Sequence, residues 1–278
     1  QIDAVDAQTG PVLLAYRPIA EVAAILKAVT AGAPAYDIVA HDGIGHTLWL
    51  IDRAEWVEGI TRAFAAQKAV YIADGHHRSA AASRVAAARR QADAGARGDA
   101  LYESFLTVAF PSDEMRILDY NRVVRDLNGL SREDFLARLE NAFTVVPVSG
   151  QARPDGVTVF GLYLSGQWYR LELKRKPDSG MDPVERLDVS LLTDHVLTPI
   201  LGIADLRKDK RIDFVGGRRG LDELEKRVNS GEMAVAFALW PTSLDDLFAV
   251  ADADKVMPPK STWFEPKLAD GLISYPLR

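Results

Sequence analysis

The sequence contains no cysteine. That absence excludes disulfides, thiolate zinc sites, iron–sulfur clusters and a cysteine nucleophile, and it fits a cytoplasmic protein. No apolar run approaches the roughly 20 residues of a membrane-spanning helix, and no charged-then-apolar leader opens the chain. No membrane partner is expected. Positive charge is not in excess: 33 Lys and Arg stand against 39 Asp and Glu, a net charge of −6, so nothing favours DNA or anionic lipid as a partner. An initiating methionine is also missing, so Gln1 reads as the start of a processed or truncated product.

What is present is a chain of 278 residues, 48% of them hydrophobic, enough to fill one large core or two ordinary ones. Its most informative stretch is Ala69-Val70-Tyr71-Ile72-Ala73-Asp74-Gly75-His76-His77-Arg78, followed by an alanine-rich run to Arg90. An apolar, partly β-branched run broken by Asp-Gly and followed at once by helix formers predicts strand, tight turn and helix start. Gly75 supplies the positive φ such a turn needs, and the first N–H groups of the helix lack intrahelical acceptors, which favours an anion there. Arg78 is suited to a bidentate grip on phosphate, and Asp74 either caps the helix or receives a proton from an attacking hydroxyl. The competing view is an ordinary N-cap with two solvated histidines. Polar residues directly after a buried-type strand favour a ligand site.

Along the rest of the chain, Pro11–Tyr16 reads as a buried strand and Ile19–Ala31 as a helix. Tyr36–Ala40 and His46–Ile51 read as a hairpin about His41-Asp42-Gly43-Ile44-Gly45, with His41 and His46 on the surface. Asp52 and Glu55 suggest a capping box opening a helix to Gln67, and Ala92–Asp99 a loop. Arg84, Arg89 and Arg90 read as a solvated helix face. Leu101–Phe110 and Met115–Tyr120 suggest two strands joined as a hairpin, and Ser131–Ala142 a capped helix. Phe143–Val148, Val157–Leu164 and Gln167–Leu173 predict a small antiparallel sheet with Ser165-Gly166 at a turn.

Leu187–Ile200 reads as a helix carrying His195 as a structural, half-buried residue. Ile212–Val215, Gly216-Gly217 and Leu221–Val228 form a second, weaker strand, glycine turn and helix start, with Arg218 and Arg219 in the turn. Met233–Leu239 reads as a strand and Ser243 as a helix cap. Lys260, Ser261 and Thr262 set one cation beside two hydroxyls after a pair of prolines, which suits either phosphate binding or a stiff docking turn. The expected fold is α/β in the α+β sense: a mixed sheet with flanking helices over residues 1–127 and a second α+β subdomain over 128–278, with a soft boundary near 125 to 130.

Tyr71-Ile72-Ala73-Asp74-Gly75-His76-His77-Arg78 resembles the signature of a large bacterial family of conserved proteins of unknown function, related to the ParB and sulfiredoxin-like superfamily. Gln8–Val12, Arg116–Val124 and Met257–Lys267 resemble the same family, so the likeness covers nearly the whole chain. It implies a ParB/sulfiredoxin-like core whose Asp-Gly-His-His-Arg element lies over nucleotide phosphates. Some relatives in that superfamily phosphorylate free serine with ADP or ATP. Carried over, the resemblance makes Gly75, His76, His77 and Arg78 the phosphate loop, with Asp74 as base or Mg²⁺ contact. It also implies a catalytic glutamate early in the chain. Glu21 is the first glutamate and has no match, so part of the active site is expected ahead of Gln1.

Two functions follow. One is a nucleotide-dependent phosphotransferase, a small-molecule kinase using ATP or ADP with Mg²⁺ on a hydroxylated metabolite such as serine, with catalytic Asp74, His76, His77 and Arg78 and with Lys260, Ser261 and Thr262 assisting. The other is a ParB-like nucleotide switch or non-catalytic binding module. CTP and a homo-oligomer stay open in both.

Overall fold

Val12-Leu13-Leu14-Ala15-Tyr16 has no polar position on either face, and in the computed structural model all five residues are buried. They form the middle strand of a three-stranded sheet. The structure describes residues 2–41, 43–92, 98, 100–178, 180–265 and 267–278. They divide into two compact units, Gln1–Met115 with Pro266–Arg278, and Arg116–Glu265. The division falls ahead of the 127/128 boundary read from the sequence, because Arg116–Val124 supplies strands to the second unit.

The first unit contains α1 (Ile2–Val5), β1 (Ala7–Gln8), β2 (Val12–Tyr16), α2 (Ala20–Thr30), β3 (Tyr36–Val39), β4 (Gly45–Leu48), α3 (Ala54–Ala65), β5 (Tyr71–Asp74), α4 (His76–Ala92) and β6 (Thr107–Pro111). β2 runs antiparallel to β5 and parallel to β6, so this small sheet is mixed. β3 and β4 pair as a hairpin, as the Gly-bearing turn predicts. Asp42 of that turn, and residues 93–97 and 99 of the expected loop, lie outside the described residues. The capping box at Asp52 and Glu55 is not formed. Arg53 occupies the cap position of α3 without a side-chain hydrogen bond, its guanidinium 4.4 Å from the centre of the Trp56 ring. The expected hairpin of Leu101–Phe110 with Met115–Tyr120 is also absent: Leu101–Glu103 is a short 3-10 turn and β6 pairs with β2 instead.

Gln8, only 6% exposed, ties this unit together. Its amide donates to the Ser104 carbonyl at 3.1 Å and its carbonyl accepts the Leu106 N–H at 2.8 Å. Gln8→Ala leaves both backbone groups without those partners. We expect a loss of ~2 kcal/mol in denaturant-measured stability; an unchanged midpoint would show that water replaces the clamp. The C-terminal pair Tyr275–Pro276 adds to β1, and the Gly271 N–H reaches the Thr9 carbonyl at 2.9 Å.

The second unit contains β7 (Arg116–Leu118), β8 (Tyr120–Val124), α5 (Arg132–Leu139), β9 (Phe143–Val148), β10 (Val159–Leu164), β11 (Gln167–Leu173), α6 (Asp188–Leu192), β12 (Ile212–Gly216), α7 (Asp222–Asn229), β13 (Val235–Ala238), α8 (Leu244–Asp252) and β14 (Trp263–Glu265). Six strands in the order β12-β8-β13-β10-β11-β9 make one sheet, every pair antiparallel. Phe160, Leu162 and Leu164 of β10 join one apolar cluster with α5 and α6, while Tyr163 joins another with α7. β10 is therefore buried on both faces. Ser165 and Gly166 both take positive φ, the two-residue turn that fits the twist of the flanking strands. Ser131 and Ser243 cap α5 and α8 as their sequences predict. β7 and β14 form a separate antiparallel pair, which brings distant parts of the chain together. The mixed α+β class read from the sequence is the one observed.

Candidate functional site

β5 ends on Asp74, Gly75 turns the chain with φ +92°, and α4 starts at His76. The first i→i+4 bond of the helix is donated by Ser79 to the Gly75 carbonyl at 3.0 Å. The N–H groups of His76, His77 and Arg78 thus precede the internal ladder, at the positive end of a 17-residue helix. Asp74 does not cap the helix. Its Oδ1 accepts the Gly75 N–H at 2.8 Å and its Oδ2 lies 3.7 Å from Lys267 Nζ. The carboxylate is about half exposed, and both histidines are exposed.

Arg78 is the best-fixed member. Its Nη1 donates to Asp270 Oδ1 at 3.3 Å, and two glycines allow its guanidinium to lie close to the backbone. A Cβ on Gly75 would stand 3.1 Å from Arg78 Nε and 3.3 Å from the Val12 Cα. A Cβ on Gly10 would stand 2.9 Å from Asp270 Oδ1 and 3.2 Å from Arg78 Nη1. Arg78 lines two clefts of this unit: one of about 110 Å³ with Thr9, Gly10 and Asp270, and one of about 400 Å³ with His77 and Arg84. Arg89 and Arg90 are not merely solvated. Arg89 pairs with Asp6 at 2.6 Å, and Arg90 with Glu103. Arg84 is left exposed on the wall of the larger cleft.

Gly10, Lys267 and Asp270 were not identified as site residues in the sequence. Gly10 and Lys267 lie in stretches that resemble the family, but only the fold brings them to Asp74 and Arg78. For Mg²⁺, no group of three or more His, Asp or Glu side chains converges on a common point among the described residues. A single carboxylate, Asp74, fits Mg²⁺ only where phosphate oxygens complete the octahedron. Such an ion would supply charge neutralisation between the phosphates.

Lys260, Ser261 and Thr262 belong to the second unit, where the first two have partners. The Lys260 carbonyl accepts from Arg122 Nη2 at 3.0 Å, and its ammonium stands 5.7 Å from the centre of the Tyr120 ring. Ser261 is buried; its hydroxyl donates to the Pro258 carbonyl and its own carbonyl accepts from Thr242 at 3.1 Å. The second glycine turn also has a packing explanation. A Cβ on Gly216 would meet the Trp263 ring at 2.5 Å, and one on Gly217 would meet Asp119 Oδ1 at 2.2 Å. His195 is exposed rather than half-buried, in a π-helical turn at Thr193–Leu197 and edge-on to Phe143 at 6.1 Å. His41 is exposed and His46 half-buried. No described helix is long and apolar enough to cross a membrane.

A family model described as a protein of unknown function (DUF1015) matches residues 1–190. No curated protein matches. Among solved structures, a conserved hypothetical protein from Pyrococcus furiosus is 14% identical, with 97% of this chain and 82% of that chain covered and a TM-score of 0.43. A free serine kinase in complex with AMP is 12% identical, with 95% and 76% covered and a TM-score of 0.42.

Proposed function

The chain belongs to the DUF1015 family of unknown function, whose model spans residues 1–190, and we propose that it is a nucleotide-dependent phosphotransferase for a small hydroxylated metabolite, free serine being the acceptor class that the sequence resemblance implies. The carrying observation is the placement of the Arg78 guanidinium against two glycine backbones at the N-terminus of α4, held by Asp270. A phosphate there meets backbone N–H donors, the helix dipole and a planar guanidinium together. In the ParB/sulfiredoxin-like reading, Gly75, His76, His77 and Arg78 hold the phosphates of ATP or ADP, and Asp74, which that reading makes either the base or a Mg²⁺ contact, is taken as the base. The acceptor hydroxyl attacks phosphorus; a new oxygen–phosphorus bond forms as the bond to the nucleotide leaving group breaks, and the hydroxyl proton passes to Asp74.

Calorimetric titration of ATP, ADP and CTP with Mg²⁺ into the unmodified chain and its Arg78→Ala variant tests this. Loss of a charge-assisted contact of ~1.5–3 kcal/mol is a loss of about 10- to 100-fold in affinity. Arg78→Lys should recover part of it. No binding to the unmodified chain, or equal affinity in the variant, sinks the phosphate-loop reading. Asp74→Asn separates chemistry from binding: a kinase loses turnover and keeps nucleotide affinity, whereas a nucleotide switch has no turnover to lose.

A further inference from the structure

α4 carries four arginines, and three of them have carboxylate partners: Arg78 with Asp270, Arg89 with Asp6 and Asp3, and Arg90 with Glu103. Arg84 has no ion pair among the described residues. It is exposed, and it lines the cleft of about 400 Å³ that His77 and Arg78 also line. The cleft has one carboxylate on its wall, Asp3 of α1, which lies 3.7 Å from Arg89. Arg84 is therefore the wall charge without a counter-charge among the described residues.

Helical spacing accounts for this wall. His77, Ala81, Arg84 and Ala88 follow one another at intervals of four, three and four residues, a single stripe along α4. The alanines between the polar positions are too short to fill the stripe, which leaves a trough beside the two arginines. Arg84 stands six residues beyond Arg78, about 9 Å further along the helix axis. A single phosphate spans that interval only if both long side chains converge on it, whereas a chain of phosphates spans it directly. The smaller cleft of about 110 Å³ shares Ile2 and Arg78 with this one, so the two adjoin at Arg78.

We propose that Arg84 is a second anion contact, that it holds phosphate groups further along the chain from the one on Arg78, and that the cleft thereby selects a polyphosphate chain over a single phosphate. The inference rests on the phosphate reading of Arg78 and adds to it which phosphates are recognised. Arg84 binds and discriminates; it takes no part in the transfer step. Its planar guanidinium presents paired donors that match phosphate oxygens. Its exposure bounds the effect, since a solvated charge pair is worth up to about a factor of five in affinity and is screened by salt.

The test is an NMR titration of the full chain with inorganic tripolyphosphate and, separately, with orthophosphate, at low salt and without metal ion, following the Gly75 and Ala81 amides. Tripolyphosphate should shift both amides, and orthophosphate should shift Gly75 alone. Arg84→Ala should weaken tripolyphosphate about fivefold and leave orthophosphate unchanged, with the difference shrinking as salt is raised. Arg84→Lys should recover part of the loss. Alanine is the best helix former and the site is exposed, so the variant keeps α4 intact. Arg78→Ala should weaken both anions. If Arg78→Ala does so while Arg84→Ala binds tripolyphosphate as the unmodified chain does, the role of Arg84 is overturned and the phosphate loop stands. An equal loss of both anions in Arg84→Ala overturns the selection for a chain, because the two arginines then grip one phosphate. No shift at Gly75 with either anion overturns the loop and this inference together.

Discussion

Gly161→Ala should destabilise the second unit by ~4 kcal/mol or more, or prevent it from folding, through backbone overlap in the middle of its sheet. A Cβ at this position would stand 2.1 Å from the Ala152 carbonyl oxygen, 3.2 Å from the Ala152 carbonyl carbon and 3.1 Å from the Ala238 Cβ. None of these atoms is the movable end of a long side chain. The φ of Gly161 is not in the left-handed region, so the expected loss is steric and not conformational. β10 has no room to withdraw, since its opposite face carries Phe160 and Leu162 at 0% exposure, and β13 is bonded on one side and β11 on the other. Gly156→Ala is the control, because nothing lies within 4 Å of its Cβ position. Denaturant unfolding should show the first variant severely shifted and the second near the unmodified chain. A loss below ~1 kcal/mol for Gly161→Ala would mean that the 150–156 segment lifts off the sheet at little cost.

Asp188→Asn should stabilise the protein at pH 8 and leave it little changed at pH 4. Burial holds the Asp188 carboxyl at about 7 in the folded chain, against an ordinary value of 3.8. A folded state that binds the proton more tightly loses stability as pH rises between those values, and the loss is complete above the higher one. Each pH unit of that gap is worth about 1.4 kcal/mol, so ~4 kcal/mol bounds the effect, and partial solvent relaxation brings the expectation nearer ~2 kcal/mol. Asparagine carries no charge to desolvate and still accepts the Thr158 N–H. Because the quantity measured is the difference between two proteins at each pH, the other titrating groups cancel. A difference that is flat from pH 4 to 8 would show that Asp188 titrates as an ordinary surface carboxyl.

Much of the local structure was legible in the sequence where short-range rules act alone. The Ser165-Gly166 hairpin follows from a two-residue turn between alternating strands, and the caps at Ser131 and Ser243 from side chains bonding to N–H groups three residues on. The Asp74-Gly75 turn was legible for the same reason, and the helix starts at His76 as the motif predicts. Asp52 failed as a cap because side-chain stacking of Arg53 on Trp56 sets the entry to α3 one residue later. Local rules do not contain that competition.

Pairings between distant segments were not legible. β6 looked like a hairpin partner for the next strand, yet it adds in parallel to β2, and β7 finds β14 near the other end of the chain. Arg122 lies on β8 and was not singled out in the sequence as a buried residue. It is 1% exposed, donates to the Tyr120 and Lys260 carbonyls, packs 5.5 Å from the Phe214 ring centre, and burial lowers its pKa to about 9. Nothing in its neighbouring sequence announces that environment.

The sequence by itself determined the chemistry on offer: no thiol, a strand–glycine–helix turn with two histidines and an arginine, and enough apolar periodicity for a mixed α+β protein. Those features depend on residue type and near neighbours, which a linear chain states directly. Tertiary structure alone decided that Gly10 and Asp270 fix Arg78, that Lys267 stands beside Asp74, and that Thr158 and Asp188 share a cavity wall. Each depends on which remote backbone segments lie close enough to bond, and that is set by the packing of whole sheets and helices.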